Sequence, residues 1–216
     1  MADGNRDKII DAFLALLAVK PFEKIGVAEV ARAAAISLAD MRGEVGSTLE
    51  ILSAFARRTD ETVLADDLDP ELADAPARER LFEVLMRRIE VLKPHRAALQ
   101  SLARSARRAP PLALALNGIS LRSQRWMLAA ARVETSGLPE CARAQGLVYV
   151  MARTYGVWFD DDDPGLARTM AALDRELANG ERALNLFDDL CRFIPRFGRG
   201  RRRRRRDRGG GETIAA

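Results

Sequence analysis

Side chains able to do covalent chemistry or hold a metal are few and scattered in this 216-residue chain. His95 is the sole histidine, so no zinc cluster and no nucleophile–base pair with a histidine to spare can be built. It follows Lys93 and Pro94, where a helix break gives it a capping or exposed position. Cys141 and Cys191 lie far apart, with no CxxC or Cys/His spacing, and read as small reduced core residues. Residues 160–163 are four consecutive aspartates before Pro164 and Gly165. With no other ligand type near them in sequence, they read as a solvated helix start, Asp163 capping and Pro164 taking the first helical position. Neither an enzyme, nor a cofactor, nor a metal site is expected.

Charge is the second chemistry available. The formal net charge is +4, yet residues 196–216 hold nine arginines against Asp207 and Glu212. Residues 1–195 therefore carry 26 basic and 29 acidic groups, a net of −3. The arginine- and glycine-rich end has almost nothing apolar to bury, so it is expected to be disordered. It serves as nonspecific phosphate affinity, as a contact to an anionic membrane surface, or as a solubilising tail.

The elements that position everything else are helices. Hydrophobic residues make up 48% of the chain, while aromatic residues make up 6%; alanine, leucine and arginine dominate, a helix former's composition. No run approaches the ~18 apolar residues of a membrane span. The N-terminus opens with charges rather than an apolar signal, so a cytoplasmic protein without integral membrane association is expected. Over 6–19, Ile9, Ile10, Phe13, Leu16 and Leu17 form one stripe, stopped by Pro21. Short helices are expected at 27–34 and 38–45, the second capped by Ser37. Ser47 opens a longer helix reaching about residue 65. Polar residues 66–76 connect to amphipathic helices at 76–93, 95–107, 110–133, 139–159 and 165–194, punctuated by Pro94, Pro110, Pro111, Pro139 and Pro164. Gly180 is where the last one is expected to break or bend. The fold class is all-α, a three-helix head on a larger helical bundle.

The stretch IIDAFLALLAVKPFEKIGVAEVARAAAISLADMRGEVGSTLEILSAF runs long helix, short helix, tight turn, short helix, long helix. It resembles the DNA-binding head of TetR/AcrR-family regulators, most closely through KPFEKIGVAEVARAAAIS. The resemblance covers about residues 6–55 and implies a helix-turn-helix head over 1–55, a ligand-binding and dimerisation domain over 56–195 and a tail over 196–216. It implies that the 38–45 helix enters the major groove. The DNA-contacting residues implied are Val27, Arg32, Ser37, Leu38, Ala39, Asp40 and Arg42. Where the family has aromatic residues this chain has Arg42 and Val45, and Thr48 stands near the position of a common lysine. Residues 1–48 carry six basic and seven acidic groups, and Asp40 and Glu44 lie on the groove-facing helix itself. Both are expected to cost affinity for phosphate.

The body helices supply many apolar residues, of which Phe82, Met86, Trp126, Met151 and Trp158 are candidates to line a pocket for a small apolar effector. The last two helices are expected to form a homodimer interface, with Ala144, Gly146, Ala152 and Gly156 permitting close approach. The function implied is a transcriptional regulator, by family default a repressor, that leaves operator DNA when the effector binds. A second reading follows from VWFDDDDPGLARTMAALDREL, which is loosely similar to the closing helices of TetR-fold lipid-binding accessory proteins of ubiquinone biosynthesis. It implies a head that no longer binds DNA and a body that carries an isoprenoid or other lipid.

Overall fold

The structure, a computed structural model, describes residues 2–67, 69–72, 74–133 and 138–193. Every regular element among them is helical. The nine α-helices described are α1 (Ala2–Val19), α2 (Val27–Ala33), α3 (Leu38–Glu44), α4 (Thr48–Leu64), α5 (Ala77–Leu92), α6 (Arg96–Arg108), α7 (Pro110–Ala130), α8 (Leu138–Trp158) and α9 (Ala167–Phe193). Single 3₁₀ turns lie at Phe22–Lys24, Pro70–Leu72 and Lys93–His95. The expected elements all form, to within a few residues at most ends. The chain divides into two units, Met1–Glu181 and Arg182–Ala216; of the second, only the end of α9 is described. The expected disordered tail lies outside the described residues.

The α1 stripe is buried as expected through Ile9, Ile10, Phe13 and Leu17, with Leu14 in place of Leu16 at full burial. α1 packs along α6 more extensively than on α2, α3 or α4. The head is therefore built onto the body rather than hung from it. Position 55, the expected end of the head, falls in the middle of α4, which runs unbroken from the helix-turn-helix into the bundle. Its inward stripe is Ile51, Leu52, Phe55, Thr59, Asp60 and Val63, apolar near the head and partly polar in the body.

Three sequence expectations are corrected. α9 continues through Gly180 as one helix and does not break there; a Cβ at Gly180 would meet the Val150 side chain at ordinary contact distance. α9 begins at Ala167 rather than at Pro164, because Leu166 takes a left-handed φ of 53° between them. Asp163 still caps, reaching the Ala167 N–H at 3.0 Å, but Asp161 does more. Its buried carboxylate accepts from both the N–H and the hydroxyl of Thr169, at 2.8 and 2.6 Å. Arg96 donates to the Asp162 carboxylate and the Phe159 carbonyl, and Arg168 to the Asp160 carbonyl. The acidic corner is thus a helix-capping structure. Finally, Ala144 lies in the chain's own core, whereas Gly146, Ala152 and Gly156 are exposed.

Candidate nucleic-acid interface

α2 lacks a side-chain cap at Gly26 and ends in a hydrogen-bonded turn. The Ile36 N–H donates to the Ala31 carbonyl and the Ala35 N–H to that of Arg32, with Ala35 at φ 54°. This Schellman arrangement reverses the chain in the space of two residues. Ser37 then caps α3: its Oγ accepts from the Asp40 N–H at 3.0 Å and donates to the Asp40 carboxylate at 2.7 Å. Met41 and Val45 anchor α3 to the core, which turns Ser37, Leu38, Ala39, Asp40, Arg42 and Gly43 to solvent. Leu38 is 59% exposed, an apolar group placed outward at the start of the helix, and Val27 is exposed at the start of α2.

The geometry changes what the acidic residues of the head mean. Glu44 is folded back onto α1, where Arg6 pairs with its carboxylate at 3.5 Å and donates to its carbonyl. Glu29 pairs with Lys20. Asp7 and Asp11 share Arg58, at 3.1 and 2.7 Å. Asp40 is engaged by Ser37 and sits at the positive end of its own helix, where a carboxylate is stabilised. Arg42 and Arg57, by contrast, pair with no described residue, and Arg32 donates only to the Ala28 carbonyl. Glu44, expected to oppose DNA from the 38–45 helix, has its carboxylate paired with Arg6 of α1.

The pocket candidates separate. Met151 and Trp158 are fully buried on α8, and Phe82 and Met86 half-buried on α5. Trp126 is 58% exposed, so it lines no internal cavity of this chain. The inner face of α7 is taken instead by Ser123, Gln124, Met127 and Leu128. Ser123 turns in because it donates to the Asp60 carboxylate at 2.6 Å, which also pairs with buried Arg88. Burial alone would lower the Arg88 pKa; Tyr155 and Asp60 raise it, so the guanidinium stays charged. Gln124 Oε1 and Trp158 Nε1 are buried without a partner. This polar centre joining α4, α5 and α7, with Tyr155 of α8 against it, escaped the sequence reading; its signal was a carboxylate on the apolar stripe of α4. Clefts of about 400 and 350 Å³ open against α1 and α4. The smaller holds His95, set edge-on to Phe55 with ring centroids 5.2 Å apart, beside Asp7, Asp11 and Arg58. No three His, Cys, Asp or Glu side chains gather as a metal site among the described residues. No described helix is long and apolar enough to cross a membrane.

No protein-family model and no curated protein matches the sequence. Solved structures do. A TetR transcriptional regulator from Nitrosomonas europaea superposes with a TM-score of 0.63 at 21% identity, over 82% of this chain and 97% of that one. The chain has the TetR fold. A second TetR transcriptional regulator, from a Rhodococcus species, matches at 14% identity and a TM-score of 0.54, over 82% of this chain and 96% of that one. At such identities the likeness concerns backbone architecture, so which residues of this TetR-fold chain do the work rests on the geometry above.

Proposed function

We propose that this TetR-fold chain is a transcriptional regulator, a repressor, that binds operator DNA as a homodimer through α3. In this reading a small apolar ligand, held in the body among Phe82, Met86, Met151 and Trp158, releases it. The observation that carries the reading is the outward face of α3, where Leu38, Ala39 and Arg42 are free while the carboxylates of α2 and α3 are engaged within the head. Leu38 and Ala39 suit thymine methyl groups, and Arg42 a guanine or phosphate. Dimerisation is supported by the outer face of α8, where Gly146, Tyr149, Ala152 and Gly156 share one exposed side and Tyr149 is 61% exposed. A two-fold dimer places its recognition helices about 34–36 Å apart, one turn of duplex.

Anisotropy titration against the chain's own upstream region and against random duplex tests it. Preferential binding of a two-half-site duplex by a dimer is expected, with Arg42→Ala weakening it by about 1–3 kcal/mol. Equal affinity for every duplex at low salt overturns the proposal.

A further inference from the structure

A second cationic surface stands outside the helix-turn-helix. α6 carries four arginines and no carboxylate. At about 100° per residue, Arg104, Arg107 and Arg108 fall within an arc of about 100°, and all three are exposed. Arg104 and Arg107 pair with no described residue. Favourable interaction of cations with a helix C-terminus accounts for the last turn, Arg107 and Arg108, but not for Arg104 one turn earlier.

This face is fixed in register with the head. The Ser101 hydroxyl donates to the Lys20 carbonyl at 3.0 Å, and the Phe22 N–H donates to Ser105 Oγ at 3.1 Å. The arginines are thereby held beside the Phe22–Lys24 turn, whose exposed Lys24 stands just before Gly26 and the start of α2. In helix-turn-helix docking the first helix of the motif, here α2, crosses the phosphate backbone. One carboxylate, Glu23, sits in the patch against Ser105, Arg108 and Lys24. An anion is already accommodated there, and it competes with any other.

We propose that Arg104, Arg107 and Arg108 of α6, together with Lys24, form a phosphate-binding surface that grips the duplex beside the segment read by α3. The inference rests on the DNA-binding reading and extends it into the body of the molecule. The patch supplies sequence-independent affinity that the head, with net negative charge over residues 1–48, lacks.

The test is the salt dependence of duplex binding by the full chain, measured by anisotropy on random and upstream duplexes. Each phosphate contact contributes about 0.9 to the slope of log affinity against log salt, so replacing all three arginines by glutamine makes the slope shallower by about 2 to 3. The loss is the same for both duplexes, because phosphates carry no sequence. Glu23→Gln acts oppositely, tightening binding and steepening the slope. Circular dichroism confirms that each variant folds. A wild-type slope retained by the triple variant overturns this inference alone. A wild-type chain that binds no duplex at low salt overturns the DNA-binding reading and this inference with it.

Discussion

A carboxylate in an apolar interior is tolerated where its charge is met, and Asp60 meets it twice, through Arg88 and the Ser123 hydroxyl. Removing one partner strands the other. Asp60→Ala leaves the buried guanidinium with Tyr155 alone and no counter-charge, and is expected to cost about 3–5 kcal/mol, read from urea unfolding. Arg88→Met in the Asp60→Ala background should recover much of that, since an apolar pair of similar volume is often neutral. A single variant losing under about 1 kcal/mol would show that water reaches the pair. At the surface the same logic runs through Glu44, whose partner Arg6 holds its charge against α1. Residue type was legible in the sequence at all these positions. The partner was not, because Arg6 and Glu44 are 38 positions apart and Asp60 and Ser123 are 63.

The turn between α2 and α3 sets a strained residue, Ala35, beside a cap, Ser37. Ala35 holds a left-handed conformation that a Cβ disfavours, and Ser37 repays part of this by capping α3. Two substitutions there should act in opposite directions. Ala35→Gly is expected to stabilise by about 1 kcal/mol and Ser37→Ala to destabilise by about the same, both read as shifts in urea midpoint. Destabilisation by Ala35→Gly would mean that the Ala35 methyl packs usefully. The caps and apolar stripes that define these elements were legible because they are local: Ser37, Ser47 and the α1 stripe stand where periodicity puts them. What failed depended on other elements. Trp126 turned outward because α7 presents Ser123 to Asp60.

At the scale of the molecule, head and body meet at His95. Its pKa is lowered from the ordinary 6.5, first by burial and then by Arg58, with Asp11 opposing. The unfolded chain therefore takes up this proton first, and stability falls as pH drops through 6.5, reaching a constant deficit below the folded value. Urea midpoints compared at pH 8 and pH 5 should show this loss in the wild type and less of it in His95→Gln. Identical pH profiles would place His95 in water in the folded chain. The same contact has a mechanical meaning. α4 is a single rod of 17 residues, about 25 Å long at 1.5 Å per residue. Phe55 rests against His95 part-way along it, roughly 12 Å from the Ser47 end and roughly 8 Å from Asp60. If that ring contact serves as a fulcrum, the rod is a lever of ratio about 1.5, and a shift at the buried carboxylate emerges enlarged where α4 follows α3.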